Sequence, residues 1–281
     1  ILAAVAIMLL AANPLGRFID ANPTVKMLAL AFILLVGVVL VLGGWEVAAR
    51  MKWIDPFFYS QPSLIWRQLV EWVTEGTSQG PLWQQVLVTL EETVLGFLIG
   101  AVAGVVAGIL LGRNKLLSDV FSLYIQIANS IPRVVLGSVF VIALGLGMAS
   151  KVALAVVMVF FVVFGNAFQC VREADKYMIA NAQILGASPR QVTMSVVIPS
   201  AMSWILASLH VSFGFALVGA VVGEFLGAKE GIGLLISTAQ GAFNASGVFA
   251  AMIVLAVVAL LADFLLTRVE KRLLKWRPAA F

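Results

Sequence analysis

The feature that most limits the fold of this chain is a series of long apolar runs that carry almost no charge. A helix of about 20 apolar residues crosses the core of a bilayer. Of the 281 residues, 62% are hydrophobic and 11% are charged, whereas soluble domains carry about 25% charged residues. The sequence therefore predicts an all-α membrane protein with about six transmembrane helices. The predicted spans lie at 27–45, 93–112, within 120–150, 152–171, within 191–223 and 247–267.

The domain organisation predicted from these runs is simple. One transmembrane domain is expected to cover residues 27–277, preceded by a segment of residues 1–26 and followed by a tail of residues 278–281. Residues 1–12 are apolar but shorter than a span. We interpret them as the end of a truncated segment, with a tether lying in the membrane interface as the alternative.

The basic residues are divided unequally between the two predicted sides of the membrane. Twelve accompany the loop at 172–190, five lie on the other side, and Arg133 falls near or inside the membrane. Cytoplasmic loops carry the excess of Lys and Arg, so we expect this loop and the C-terminus to be cytoplasmic. The twelve are Arg17, Lys26, Arg113, Lys115, Arg172, Lys176, Arg190, Arg268, Lys271, Arg272, Lys275 and Arg277.

Residues 173–199 form the longest polar insertion in the second half of the chain. Asp175 is expected to cap a short helix that starts at Lys176, and Gly186 suits the left-handed position that ends it. The helix carries an apolar stripe at spacings of four and three residues. Its members are Met178, Ala182 and Leu185.

A second short helix is predicted directly after Gly186. Ser188 and Gln191 have the spacing of a capping box, and Pro189 occupies the first helical position, where its missing N–H costs nothing. Pro199 is expected to break this helix as the next span begins. A capped amphipathic helix pair beside the membrane suits a docking surface for a partner protein, and a hairpin that packs on its own bundle is the alternative.

The same segment resembles the cytoplasmic coupling loop of the permease subunits of ABC importers. That family has Glu-Ala-Ala, three residues, Gly, nine residues, and then Ile, any residue, Leu-Pro. Here the triplet falls on residues 180–182, the glycine is Gly186, and the end of the pattern falls on Val196, Ile198 and Pro199. Ala180 replaces the glutamate of the family triplet. We call residues 172–199 the coupling loop.

The resemblance extends over about residues 60–277, and its motifs are similar to those of permeases for nitrate, aliphatic sulfonates, taurine and bicarbonate. It implies a type I importer permease in a bacterial inner membrane, working by alternating access for a small anion, such as one of these or an aromatic carboxylate. It also implies a second permease copy, two ATP-binding subunits that hold ATP and Mg²⁺, and an extracytoplasmic binding protein. The residues expected to couple to the ATPase are Lys176, Tyr177, Met178, Ala182, Leu185, Gly186, Ser188 and Arg190.

The residues that commonly support catalysis are missing from the sequence. No Walker A motif occurs, since no Gly is followed by Lys, and no zinc-protease or serine-hydrolase motif is present. One cysteine and one histidine rule out an internal disulfide and a His cluster. We therefore expect no catalysis, no cofactor in this chain and no nucleic-acid partner, with ATP hydrolysis left to a separate subunit.

Four residues are candidates for the substrate pathway: Ser130, Arg133, His210 and Glu224. Charged groups inside a membrane are costly and are therefore functional candidates. Arg133 follows a kinking proline and suits an oxyanion, or it reaches to the interface or pairs with a carboxylate. His210 either bonds a neighbouring helix or contacts substrate. Glu224 either fastens the following Gly-rich segment or partners a cation.

Glycines mark two further segments. In the second span they recur every fourth residue, which predicts close approach of another helix. These glycines are Gly96, Gly100, Gly104, Gly108 and Gly112. Residues 224–246 are also Gly-rich and are predicted to form a short re-entrant or surface helix.

Two other functions remain open at the level of the sequence. A proton-coupled secondary transporter would use His210, Glu224 or Arg133 to carry protons, but the inverted repeats typical of that class are not evident. A purely structural membrane subunit is the third class.

Overall fold

The computed structural model describes residues 23–113, 119–121, 124, 125, 127, 130–172 and 176–273. Within these ranges, regular structure is helical except for an isolated bridge between Thr77 and Gly80. The predicted cap Asp175, the tail at 278–281 and most of the segment at 1–26 lie outside the described residues.

Five of the described helices are long and apolar enough to cross a membrane by length and composition. They match the first, second, fourth, fifth and sixth predicted spans. The third predicted span contains a shorter apolar helix, residues Arg133–Leu144, and part of its first half is outside the described residues. The five long helices are α1 (Pro23–Arg50), α4 (Leu82–Arg113), α6 (Met148–Arg172), α9 (Ile198–Leu226) and α11 (Ala245–Leu273).

The shorter helices connect these spans. Pro132 has an extended backbone, and the 3₁₀ turn Arg133–Val135 follows it and leads into the helix Leu136–Leu144. The predicted interruption at Pro132 is therefore confirmed. The short elements are α2 (Pro56–Tyr59), α3 (Pro62–Thr74), α5 (Leu136–Leu144), α7 (Lys176–Ile184), α8 (Pro189–Val192) and α10 (Ile232–Gly241).

The described residues fall into two compact units, one ending at Trp66 and one beginning at Arg67. In the first unit, Glu46 near the end of α1 organises the turn into α3. Its carboxylate accepts hydrogen bonds from Arg50 Nε at 2.7 Å and from the Ser63 backbone N–H at 3.0 Å. Asp55 caps α2 by accepting from the Phe57 N–H at 2.9 Å.

The second unit is built around α6, which packs closely against α4. A Cβ on Gly100 would lie 2.8 Å from both the Val156 carbonyl oxygen and the Val159 Cβ. A Cβ on Gly108 would lie 2.7 Å from the Ala167 Cβ. The glycine stripe therefore places the α4 backbone directly on α6, as the four-residue spacing predicts.

Helix α9 approaches α6 in the same way from another side. A Cβ on Gly219 would lie 2.7 Å from the Ala155 Cα, and one on Gly223 would lie 3.1 Å from the Lys151 Cα. Val159 and Val163 of α6 are fully buried between the two neighbouring helices. Helix α6 is therefore held by backbone-level contacts with both α4 and α9.

We expect Gly100→Ala to destabilise the protein, because the added methyl group overlaps the α6 backbone and Val159. Overpacking of this kind costs about 1–3 kcal/mol. Thermal unfolding of the detergent-solubilised protein measures the change in Tm. Gly43→Ala in α1 is the matched control, because a Cβ there meets nothing within 4 Å. Equal Tm changes for the two variants would contradict the close packing.

Candidate functional site

Helix α7 in the coupling loop ends in a Schellman motif centred on Gly186. The Ala187 N–H donates to the Ala182 carbonyl at 3.0 Å, and the Gly186 N–H donates to the Gln183 carbonyl at 2.9 Å. Gly186 has φ +84°, which glycine adopts without the steric cost that a Cβ brings. The left-handed turn predicted at Gly186 is confirmed.

The second helix of the coupling loop begins with the predicted capping box. The Ser188 N–H donates to Gln191 Oε1 at 2.8 Å, and the Gln191 N–H donates to Ser188 Oγ at 3.4 Å. Pro189 occupies the first turn of α8. Two caps in succession therefore give this polar loop a defined backbone.

The predicted break at Pro199 is wrong. The chain continues from α8 through a π-helical segment, Thr193–Val197, into α9. Pro199 is the second residue of α9 and lies inside this continuous helical run, where it lacks the N–H that would donate to the preceding turn. A π segment also shifts the hydrogen-bond pattern by one residue, so α8 and α9 are joined without a loop.

The coupling loop has one packed face and one exposed face. Ile179 and Ala182 of α7 pack with Val192 against Val171 at the end of α6. Tyr177, Ile184 and Leu185 are 84%, 82% and 87% exposed. An exposed cluster of large apolar side chains is typical of an interaction surface.

The apolar stripe predicted from Met178, Ala182 and Leu185 does not lie on one face. Ala182 packs inward, whereas Met178 and Leu185 are exposed. Leu185 falls in the turn after α7, where helical periodicity no longer sets its direction. Ser188 and Arg190 are exposed as well, and the side chain of Lys176 is not among those described.

Arg133 lies at the start of the 3₁₀ turn, half-buried, with its guanidinium carbon 5.1 Å from the centre of the Phe161 ring. Ser130, three residues earlier, is exposed.

His210 instead contacts helix α11. Its Nε2 lies 2.8 Å from Asp263 Oδ1, and its Nδ1 lies 3.2 Å from Glu270 Oε2.

Glu224 is fully buried and joins three helices. Its Oε1 accepts a hydrogen bond from Thr89 Oγ1 of α4 at 2.7 Å. Its Oε2 accepts one from the Gly233 N–H of α10 at 2.6 Å. These contacts fasten the Gly-rich segment after α9, as one of the two interpretations of Glu224 proposes.

Two further side chains of α4 complete the attachment of α10. Thr89 Oγ1 also accepts from the Ile232 N–H at 2.9 Å, and Gln85 Oε1 accepts from the Gly231 N–H at 2.7 Å. These are N–H groups at the start of α10, which have no partner within their own helix. A side-chain cap supplied by another helix therefore positions α10.

Lys151 of α6 is 1% exposed and lies beside this cluster. Its Nζ donates to the carbonyls of Leu146 and Gly147 at 2.5 and 3.0 Å. It also interacts electrostatically with Glu92 and Glu224. A buried cation next to two buried carboxyl groups offsets part of the cost of desolvating them.

The sequence prediction did not identify Gln85, Thr89 or Lys151 as members of this cluster. A usable signal was present, because Gln85 and Thr89 lie eleven and seven residues before Gly96, spacings that place them on the helix face of the glycine stripe in α4. The charge count places Lys151 among the five basic residues on the side of the membrane opposite the coupling loop. The candidate pathway residues thus have different partners: an aromatic ring for Arg133, α11 for His210, and the start of α10 for Glu224.

Comparisons with known proteins identify the family. Residues 100–275 match the family described as "Binding-protein-dependent transport system inner membrane component". The chain belongs to this family. It is an ABC transporter permease of the importer type and a multi-pass membrane protein. This identification takes the place of the proton-coupled secondary transporter, the alternative that the sequence left open.

Two curated relatives cover most of the permease. One is a probable ABC transporter permease protein of Haemophilus influenzae, 29% identical over 81% of this chain and 90% of its own length. Another is a putative aliphatic sulfonates transport permease protein of Bacillus subtilis, 30% identical over 70% of this chain and 72% of its own length.

A solved structure shows the fold of the permease. The MetNI methionine ABC transporter, in an inward-facing form, aligns with a TM-score of 0.60 at 20% identity, over 68% of this chain and 95% of that chain. The permease therefore has the architecture of type I ABC importer permeases, as the sequence predicts.

We expect Thr89→Val to lower the stability of the permease by about 1–3 kcal/mol, because the Glu224 carboxylate and the Ile232 N–H both lose a buried partner. Thermal unfolding in detergent measures the effect. Thr238→Val is the matched control, since its exposed hydroxyl bonds only the Leu234 carbonyl of its own helix. A control variant as unstable as Thr89→Val would argue against the cluster.

Proposed function

We propose that this permease forms, with a second copy of itself, the alternating-access pathway of an ATP-driven importer for a small anion. Two ATP-binding subunits that hold ATP and Mg²⁺ supply the energy at the cytoplasmic coupling loop. An extracytoplasmic binding protein delivers the solute. The chain itself carries out no catalysis.

The observation that carries this proposal is the apolar corner of the coupling loop, formed by Tyr177, Ile184 and Leu185. These side chains are exposed although the backbone beneath them is held by a Schellman motif and a capping box. A rigid backbone that presents large apolar groups has little ordering entropy left to lose on binding. This supports docking into a groove of an ATPase subunit.

The other face of the loop supports the transmission of movement. Ile179 and Ala182 pack against Val171 at the end of α6 and beside Ile109 of α4. Within the loop, the π segment joins α8 directly to α9. A shift of the docked loop would therefore reach α4, α6 and α9 through packed side chains and continuous helix.

The anionic class of solute is supported by the charge inside the bundle and by one relative. Arg133 places a guanidinium, a group that suits a carboxylate or sulfonate, beside Phe161 of α6. The Bacillus subtilis relative is named for aliphatic sulfonates. The excess of basic residues near the coupling loop supports its cytoplasmic placement.

We expect Leu185→Asp to weaken binding of the ATPase about 30-fold, a cost of about 2 kcal/mol, because it places an unpaired charge in an apolar interface. The variant itself should fold normally, since Leu185 is 87% exposed. Co-purification of the co-expressed ATPase subunit measures the effect. Val73→Asp, 71% exposed at the end of α3, is the control. Normal ATPase retention in Leu185→Asp would contradict the docking surface.

We expect Gly186→Val to reduce ATP-driven uptake by more than any loss of folded protein accounts for. A β-branched residue is strained at φ +84° by about 1–3 kcal/mol, and relief of the strain distorts the docking corner. Gly145→Val is matched to it, because Gly145 has φ +79° and an added Cβ meets nothing within 4 Å at either position. ATP-driven uptake into vesicles and co-purification of the ATPase are each measured for both variants. An equal loss of ATPase retention in both variants would contradict a local role for Gly186.

A further inference from the structure

The face of α6 that α4 and α9 leave uncovered borders a cavity of about 720 Å³. Arg133 lines one part of it, and one side of α6 lines the rest. The α6 positions 161, 165, 169 and 172 are spaced by three or four residues, so they share a helix face. The residues important here are Arg133, Phe161, Gly165, Asn166, Gln169 and Arg172.

Gly165 differs from the glycines that bring α4 and α9 onto α6. A Cβ on Gly165 would meet nothing within 4 Å, whereas a Cβ on Gly104 or Gly219 would overlap an α6 atom at 3.0 or 2.7 Å. Close helix packing therefore does not account for Gly165. Its missing side chain widens the cavity at the middle of the polar face.

Both arginines of the cavity lie over aromatic rings. The guanidinium carbon of Arg133 lies 5.1 Å from the centre of the Phe161 ring, and that of Arg172 lies 5.6 Å from the centre of the Phe168 ring. A cation over the face of an aromatic ring is attracted to it electrostatically, and these contacts hold both guanidinium groups beside the cavity. A guanidinium is the side chain best suited to bind a carboxylate or sulfonate.

The charge balance of the cavity favours an anion. Among the lining residues that the structure describes, two are cationic and none is a carboxylate. Asp119 lies near Arg172, with its Oδ1 4.0 Å from Arg172 Nη2. A guanidinium has five N–H donors, so this contact leaves Arg172 able to bind a ligand. The carboxamides of Asn166 and Gln169 add neutral polar groups between the arginines.

The size of the cavity favours an organic anion over an inorganic one. Small-molecule pockets typically enclose about 300–1,000 Å³, and 720 Å³ falls in this range. Phe161 and Phe168, the rings that contact the two arginines, are seven residues or about 10 Å apart along α6. A sulfate-sized ion is too small to cover this distance, so it would contact one arginine and leave the aromatic surface exposed to water. A carboxylate or sulfonate with an apolar body would contact an arginine and also cover Gly165 and Phe161.

We propose that this cavity binds an organic anion, through its acidic group at Arg133 or Arg172 and through its apolar body on the Gly165 face of α6. The inference rests on the proposed function, because it makes the cavity a binding site on the import pathway. It narrows the solute to an organic carboxylate or sulfonate. It also adds Arg172, Gly165, Asn166 and Gln169 to the binding residues.

The test uses the complex of permease and ATPase in phosphatidylcholine nanodiscs, with 4-fluorobenzenesulfonate as the probe and ¹⁹F NMR as the measure of binding. We expect saturable binding of the probe. We also expect sulfate to displace the probe at least about tenfold more weakly than unlabelled benzenesulfonate does. At least one of Arg133→Gln and Arg172→Gln should raise the apparent Kd at least about tenfold, as loss of a charged hydrogen bond does, and the variant that does so identifies the arginine that holds the acidic group. Arg172→Lys keeps the charge and should retain part of the binding.

Gly165→Leu fills the cavity and should abolish probe binding, whereas Gly43→Leu in α1 should leave it unchanged. An added Cβ meets nothing within 4 Å at either glycine, so both variants are expected to fold, and their Tm values check this. No saturable binding by the wild-type complex, or an apparent Kd that neither arginine variant changes, would overturn the proposal.

A lipid headgroup is the other source of an organic anion, and a second set of nanodiscs distinguishes it. Half of their lipid is phosphatidylglycerol. Unchanged probe affinity in these discs supports a soluble solute. Loss of probe binding, together with arginine-dependent retention of phosphatidylglycerol in native mass spectrometry, would overturn it. ATPase co-purification is scored separately, so probe binding and ATPase docking can fail independently.

Discussion

Close contact between the backbones of α4, α6 and α9 is the constraint on which the rest of the second unit depends. In a bilayer, apolar side chains gain little by leaving lipid for protein, so helices associate mainly through packing and polar contacts. The glycines of α4 and α9 allow that packing by removing the side chains that would separate the axes. Helix α6 is consequently fixed in rotation, with Val159 and Val163 inward and Phe161 and Gly165 outward.

The rotation of α6 connects the two proposed sites. Its outward face lines the cavity that holds Arg133 and Arg172. Its C-terminal end, at Val171, supports the packed face of the coupling loop. We propose that a movement of the coupling loop acts on this same helix, which also borders the cavity.

The polar cluster around Glu224 constrains the other end of these helices. A buried carboxylate is costly in a low-dielectric interior, and its cost is offset only where hydrogen bonds and a countercharge are available. Thr89, the Gly233 N–H and Lys151 provide them from three different elements. The cluster thereby specifies how α10 is seated against α4 and α9, which apolar packing alone would leave free to slide.

The sequence by itself determined the helical membrane class, the positions of five spans, the glycine contact face of α4, and the caps at Gly186 and Ser188 in the coupling loop. These features depend on run length, on a period of four residues and on bonds between residues within one turn. The tertiary structure alone decided that Thr89 meets Ile232, 143 positions away, that Ala182 packs while Leu185 is exposed, and that Gly165 opens a cavity. Helices that are apolar on every side carry no hydrophobic pattern that sets their rotation, so partners and cavities follow only from how the helices pack.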